Sequence, residues 1–229
     1  MKQLPISMTA NEKRLGWCYW GIQLLVLPAA LELLLPFFFP KLSQAEENFI
    51  YLALNFLCMS AIMLRFLGQS FRLGFQRPFH LLRSAFFAYV LYWVGFLFIR
   101  FALAYLRPEF FNVNDDSVSL LLRENYPLTA IGVILLAPVA EELIYRGLLF
   151  GTLHAHNRLA AYALSCIAFS AVHVVGYLGQ WDGLTLLLCF IQYIPAGMCL
   201  AWAYERSGSI WASILMHIAV NQPSIFSLR

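Results

Sequence analysis

Charged residues are scarce in this chain of 229 residues. Asp, Glu, Lys and Arg make up only 12% of it, about half the share found in an ordinary soluble domain. Hydrophobic residues account for 61% and the mean hydropathy is +0.71. The net charge of +3 is not gathered into a dense basic block, so no nucleic-acid partner is expected. The composition predicts a multi-pass membrane protein in a lipid bilayer, the cell inner membrane if the source is bacterial.

Several sequence patterns are also missing. The five cysteines lie in apolar stretches and show no CxxC spacing, which argues against a disulfide framework or a zinc knuckle. The HExxH pattern of many zinc metalloproteases is absent, as is a GxSG segment around a serine. These absences exclude the common local signatures of metal and serine chemistry.

Long apolar segments fill most of the chain. Because one helical span needs about 20 residues, the sequence predicts seven spans at residues 17–39, 49–66, 84–106, 128–153, 159–178, 184–204 and 210–226. Pro28 or Pro36 could divide the first span and give eight. Only helices satisfy their own backbone in lipid without a closed barrel, so the predicted fold class is an all-α transmembrane bundle. Residues 1–127 would form its N-terminal part and residues 128–229 the part that carries the polar residues.

The loops suggest an orientation. With the N-terminus in the cytoplasm, the predicted inner segments hold eight Lys and Arg residues and the outer ones four, which favours this arrangement. Residues 68–83 alternate Phe71, Phe75 and Phe79 with three arginines. Such a pattern is typical of a short helix on an anionic inner membrane surface.

Two adjacent glutamates, Glu141 and Glu142, stand in the middle of a predicted span. Ionisable residues at that depth are costly and indicate a functional site. Arg146 lies four residues after Glu142, so the two side chains share a helix face and can pair. Glu141 is turned by about 100° around the helix and lacks that partner. It is therefore the better candidate for a general base.

Two histidines in other spans also have helical partners. Phe169 and His173 are four residues apart, as are His217 and Asn221, so each pair shares a face. A single histidine within a span is more often a core residue. From the rise of a helix per residue, however, both histidines can reach the depth of Glu141, which predicts one site.

These three pairs resemble a known family. The order EExxxR, FxxxH and HxxxN on separate membrane helices is similar to the CAAX protease and bacteriocin-processing family, also called Abi, which includes the type II CAAX prenyl endopeptidases. The resemblance covers about residues 128–226. It implies an intramembrane protease that acts on a membrane-associated or lipidated peptide or protein without a cofactor.

The resemblance also implies roles for individual residues. Glu141 and His173 would activate a water molecule, and His217 and Asn221 would bind that water or the developing oxyanion. The motif positions Glu142, Arg146 and Phe169 would support them, with the Glu142–Arg146 pair bracing the site. These roles agree with the helix faces deduced above.

Two alternatives stay open at this point. In the first, Glu142, His173 and His217 bind zinc, with Glu141 as the base; Arg146 beside Glu142 argues against it. In the second, the same residues belong to a protein without proteolytic activity, such as a bacteriocin-immunity protein or a proton-coupled transporter. The matching pairs of broken helices typical of transporters are not evident in this sequence.

Overall fold

The computed structural model describes residues 4–227, and side chains from residue 4 to residue 222. This part of the chain forms helices without a β-strand, and the predicted all-α membrane bundle is confirmed. The helices are α1 (Ala10–Leu25), α2 (Leu27–Phe38), α3 (Gln44–Ile62), α4 (Leu64–Gln76), α5 (Pro78–Leu106), α6 (Val113–Glu124), α7 (Tyr126–His154), α8 (Arg158–Val175), α9 (Gly183–Ser207) and α10 (Ile210–Ser227).

The number of spans differs from the seven or eight predicted. Within the described residues, α5, α7, α8 and α9 are each long and apolar enough to cross a membrane. The bent pairs α1/α2 and α3/α4 raise the number to six if each pair is one span. Residues 210–226 do form a helix, α10, but it is not among these candidates in the described part of the chain.

The first bent pair breaks at Val26, where α1 and α2 meet at 56°. Pro28 stands in the first turn of α2, whereas Pro36 lies inside that helix. Proline is tolerated in a first turn because the N–H groups there have no partner within the helix. Of the two prolines predicted to divide this span, Pro28 is therefore the one at the break.

The second bent pair corrects the predicted span 49–66. Helix α3 ends at Ile62, and the chain turns by 80° into α4, so Phe66 lies beyond the bend. The Glu12 carboxylate, from α1, accepts a hydrogen bond of 2.9 Å from the Phe66 N–H. It thereby satisfies one of the free donors in the first turn of α4. This cap comes from a distant helix, so no local sequence pattern revealed the turn.

Helix α4 also corrects the predicted surface helix at residues 68–83. The observed helix spans Leu64–Gln76 and leaves Phe71 and Phe75 exposed. Phe79 is likewise exposed but belongs to α5, which begins at Pro78. Proline at a first helical position explains why the chain starts a new helix there. The alternation of phenylalanine and arginine thus runs across two helices.

The site is carried by α7, whose geometry is irregular. Two π-helical segments, Gly132–Leu136 and Leu143–Phe150, flank the α-helical segment Ala137–Glu142. Wider turns of this kind occur often at functional sites. Every side chain from Leu143 to Phe150 is buried. The two glutamates therefore stand at the end of a regular turn, directly before a widened one in the core.

Helices α8 and α9 approach each other closely at Gly197. A Cβ atom at this position would lie 2.8 Å from Cys166 Sγ, which is too short for any side chain to fit without movement. Nearby, Pro195 stands inside α9 and removes one backbone N–H from the helix. The glycine therefore allows the backbone of α9 to reach the buried side of the bundle.

Candidate active site

Glu142 and Arg146 form an ion pair in the interior of the bundle. Both side chains are 0% exposed, and Arg146 Nη1 lies 3.1 Å from Glu142 Oε1. Arg146 Nη2 also donates to the Gly197 carbonyl at 3.2 Å, and the guanidinium carbon lies 4.3 Å from the centre of the Phe169 ring. The predicted contact at four residues' spacing is present, and Arg146 joins α7 to α8 and α9.

Helix α10 completes the hydrogen bonds of Glu142. His217 Nδ1 lies 2.8 Å from Glu142 Oε1, and the Ser213 hydroxyl donates to Glu142 Oε2. A carboxylate can only accept, so the Nδ1 atom of His217 carries a proton. Arginine, histidine and serine thus surround Glu142. A buried carboxylate needs such partners because burying an unpaired charge is costly.

Glu141 is bonded quite differently from its neighbour. Its side chain is 23% exposed, and Oε2, although buried, has no hydrogen-bond partner among the described residues. Among the described residues, the basic atom that lies within 4 Å of it is His217 Nε2, at 3.8 Å. That distance is longer than a hydrogen bond, but it would allow both atoms to contact one water molecule. Glu141 therefore has an oxygen available for a proton.

His173 is held near the end of α8 with one ring nitrogen available. Its Nδ1 atom lies 2.8 Å from the Phe169 carbonyl oxygen. Because a carbonyl only accepts, Nδ1 carries the proton, and Nε2 of the neutral ring is an acceptor. Electrostatic interactions link His173 to both Glu141 and His217. The Phe169 ring contacts both histidine rings, with centroids 4.8 and 5.6 Å away.

Asn221 has a bond that the sequence did not suggest. Its side-chain N–H donates to the Val133 carbonyl oxygen at 2.9 Å. Val133 belongs to the first π-helical segment of α7. The contact joins α10 to the part of α7 that lies before the two glutamates in sequence. A role for Asn221 in binding an oxyanion stays a prediction.

A catalytic zinc site needs three protein side chains that converge on one point. Among residues 4–222, no three His, Cys, Asp or Glu side chains come close enough together to hold a metal ion. Both Glu142 oxygens are already hydrogen-bonded, one of them to the positively charged Arg146. A divalent cation would have to compete with that guanidinium. The arrangement of Glu142, His173 and His217 therefore does not fit the three-ligand zinc site considered above.

Three residues at the site were missed by the sequence reasoning. Ser213 could have been found, since Ser213, His217 and Asn221 follow one another at a spacing of four on α10. Gly197 contributes a backbone carbonyl, and Tyr193 stacks on His173 with ring centroids 4.2 Å apart. Neither has a local signal, because both depend on how α9 crosses α8.

The part of the chain that carries this site is similar to a known family. Residues 123–222 match the family model described as "Type II CAAX prenyl endopeptidase Rce1-like". This region of the chain is similar to that family. It contains all three residue pairs on which the resemblance rested, and the resemblance is thereby confirmed.

Two curated relatives are similar over parts of the chain. "UPF0177 protein YaiF" from Lactococcus lactis subsp. lactis is 29% identical over 135 residues, which are 56% of each protein. "Putative membrane peptidase YdiL" from Bacillus subtilis is 32% identical over 96 residues, 42% of this chain and 35% of that protein. The matched segments thus span about half or less of these relatives. No solved structure matches the chain.

Proposed function

We propose that this protein is an intramembrane endopeptidase that hydrolyses a peptide bond of a membrane-associated substrate, with water activated by Glu141 and His173. The observation that carries the proposal is the contrast between Glu142, whose oxygens are both hydrogen-bonded, and Glu141, whose Oε2 has no partner among the described residues. The Rce1-like match over residues 123–222 and the name of the Bacillus relative support proteolysis as the reaction.

In the proposed reaction, Glu141 is the general base. Its carboxylate takes one proton from a water molecule while the water oxygen attacks the scissile carbonyl carbon. The Nε2 atom of His173 accepts a hydrogen bond from the same water and orients it. Glu141 then gives the proton to the departing amine nitrogen, which leaves a new carboxyl group and a new amino group. Atoms and charge balance without a covalent intermediate.

The negative charge on the attacked oxygen needs a donor. We assign this role to His217, with the support that its Nδ1–H is held by Glu142 and that its Nε2 faces Glu141 at 3.8 Å. In the proposed transition state, Nε2 of His217 carries a proton and donates it in a hydrogen bond to the oxyanion. Asn221 would supply its second N–H, since its first is bonded to Val133. Donors fixed in advance in a place with little water are especially effective.

The setting also bears on the substrate. The glutamates lie in α7, a helix apolar enough to span a membrane, and α5 and α8 expose phenylalanine, leucine and isoleucine side chains in the same bundle. Such surfaces are stable in lipid, where apolar side chains have no reason to be buried. We therefore propose a substrate that already resides in the bilayer, through a lipid group or a membrane helix.

The test is to search for cleavage without assuming a sequence. Purified protein would be reconstituted in vesicles with a membrane fraction from cells that lack its gene, and new peptide termini would be identified by mass spectrometry. We expect termini that form with the wild type and not with Glu141→Gln. A farnesylated peptide and its unmodified counterpart would then show whether a lipid group is needed. The same set of termini with both proteins would contradict the proposal.

Elemental analysis tests the mechanism independently of the substrate. Active protein purified without chelators should contain far less than one zinc per chain. It should keep its activity after treatment with a chelator. About one zinc per chain, lost together with activity on chelation and restored with it, would overturn the assignment of Glu141 and His173 as a metal-free pair.

We also propose that the N-terminus is cytoplasmic, as the distribution of Lys and Arg suggests. A cysteine introduced in place of Arg77, in a variant without the native cysteines, should react with an impermeant thiol reagent only after the cells are opened. Labelling of this cysteine in intact cells would contradict the proposed orientation.

A further inference from the structure

Tyr193 of α9 stacks on His173. The two ring centroids are 4.2 Å apart and the rings are inclined by only 24°. The imidazole also contacts Phe169, and its Nδ1–H is bonded to the Phe169 carbonyl. One backbone bond leaves a ring free to tilt about that bond, whereas a parallel neighbouring ring restricts the tilt. Tyr193 therefore helps to set the plane of His173 and the direction of its Nε2 atom.

The hydroxyl of Tyr193 ends in a polar cluster at the start of α6. It accepts a hydrogen bond of 3.0 Å from Asn114 Nδ2. It also lies 3.4 Å from Asn112 Oδ1 and 3.3 Å from Asp115 Oδ1. With one proton, the hydroxyl can donate to only one of these two oxygens at a time. Both ends of the Tyr193 side chain are thus held, the ring by His173 and the hydroxyl by α6.

The polar cluster is itself well anchored. Asn112 caps α6, since its Oδ1 accepts from the backbone N–H groups of Asn114 and Asp115. Its Nδ2 donates to Gln192 Oε1 at 2.7 Å, and Asn112 and Gln192 are 6% and 4% exposed. Helix α6 therefore holds α9 at two consecutive residues, 192 and 193. A short helix outside the candidate spans is in this way connected to a histidine of the site.

We propose that Tyr193 is a positioning residue for His173 and that the first turn of α6 holds Tyr193 in place, an inference that rests on the proposed function. Tyr193 does not take part in proton transfer. It keeps the Nε2 atom of His173 directed at the water that Glu141 activates. A small misplacement of a catalytic group can lower a rate by about 10²-fold, so the plane of this ring has measurable consequences.

Four variants separate positioning from general stability. Tyr193→Phe keeps the ring and removes the hydroxyl, Tyr193→Leu removes the ring, and Asn114→Ala loosens the hydroxyl from α6. The control is Tyr204→Leu, which removes an equally large aromatic side chain of α9 that is 1% exposed and contacts Phe150. We expect kcat to fall by about 10²-fold in Tyr193→Leu and by less in Tyr193→Phe and Asn114→Ala, with KM unchanged. Tyr204→Leu should lower Tm while the folded fraction keeps its kcat.

The pH profile provides a second readout. His173 interacts electrostatically with Glu141 from α7, His217 from α10 and Asp115 from α6, and it stacks on Tyr193 from α9. Tyr193→Leu changes the surroundings of this histidine and should shift one limb of the pH profile of kcat. Tyr193→Phe keeps the stacked ring and should therefore have the same pH profile as the wild type.

Nuclear magnetic resonance of protein labelled with ¹⁵N-histidine tests the inference without any substrate. In the wild type, the His173 ring nitrogen signals should be narrow, and in Tyr193→Leu they should broaden, because a ring that tilts about its bond to the Phe169 carbonyl samples several orientations. If the wild type cleaves nothing, the proposed function fails while this comparison still tests the positioning. An unchanged His173 spectrum in Tyr193→Leu would overturn the inference, as would a loss of kcat that merely follows Tm as in Tyr204→Leu.

Discussion

Two clusters of this protein contain the same kinds of side chain in different surroundings. In the inner cluster, Glu142 is bonded to Arg146, His217 and Ser213. In the outer cluster, the Glu205 carboxylate accepts hydrogen bonds from Arg158 Nε at 2.6 Å and from Arg158 Nη2 at 2.8 Å. It also accepts one from the Tyr162 hydroxyl at 2.6 Å and lies 2.8 Å from His154 Nε2. Each consists of a glutamate, an arginine, a histidine and a hydroxyl group.

Their exposure separates them. Arg158 and Glu205 are 53% and 19% exposed, whereas Arg146 and Glu142 are both 0% exposed. The outer cluster joins the ends of α7, α8 and α9, where water can replace a lost partner. The inner cluster has no such replacement. It also has a second carboxylate beside it, Glu141, with an oxygen that has no partner among the described residues. The two clusters thus share their composition but differ in burial and in the second carboxylate that lies beside the inner one.

The largest effect on stability should come from Arg146→Ala. Removing the guanidinium leaves the Glu142 carboxylate buried without its main counter-charge, which typically costs about 3 to 5 kcal/mol. A denaturant titration of the protein in detergent measures this loss of unfolding free energy. The matched control is Arg158→Ala in the outer cluster, where exposed ion pairs contribute little. Equal losses in the two variants would contradict the distinction between the clusters.

A smaller effect is expected for Ser213→Ala. The Ser213 hydroxyl donates to Glu142, and hydrogen bonds to charged groups contribute about 1.5 to 3 kcal/mol. The same titration should show a loss in this range. Tyr162→Phe removes a hydroxyl from Glu205 in the outer cluster and should cost less, since Arg158 remains bonded to both Glu205 oxygens. A larger loss in Tyr162→Phe than in Ser213→Ala would reverse the comparison.

The smallest effect concerns the exposed carboxylate Asp182, which caps α9. A hydrogen bond from the Thr185 hydroxyl, together with the backbone N–H of Thr185, lowers the pKa of Asp182. The folded state therefore binds this proton more weakly than the unfolded state. The stabilisation is present above the pKa of an unfolded aspartate, about 3.9, and is lost as the pH falls through the lowered value. Tm measured from pH 2 to pH 6 should fall less steeply in Asp182→Asn than in the wild type, and parallel curves would refute this.

Local spacing predicted the parts of the site that lie on a single helix. The pairs Glu142 with Arg146, Phe169 with His173 and His217 with Asn221 followed from a spacing of four, and the three helices that carry them do converge. What connects helices was not predictable in this way. The cap that Glu12 provides for α4 depends on where distant segments meet.

The contacts of the Tyr193 hydroxyl were also not predictable from local sequence. Its partners Asn112 and Asn114 are about 80 residues away in sequence, on a stretch that the sequence indicated only as a loop. No periodicity within α9 marks this tyrosine, because its neighbours are set by the path of the chain after α5. The bend between α3 and α4 was similarly hidden, since hydropathy reports the length of an apolar segment and not its direction. The bend between α1 and α2, in contrast, was indicated by Pro28.

The most direct test of the central claim compares Glu141→Gln with Glu142→Gln in one preparation. Cleavage rates would be measured on a substrate identified from the new termini, and Tm would be measured on the same samples. We expect Glu141→Gln to lose about 10²- to 10⁴-fold in rate with Tm nearly unchanged, because Glu141 Oε2 has no hydrogen-bond partner among the described residues. Glu142→Gln should lower Tm markedly, since it leaves Arg146 buried beside a neutral group. Cleavage by Glu141→Gln at the wild-type rate would contradict the role of Glu141 as the general base.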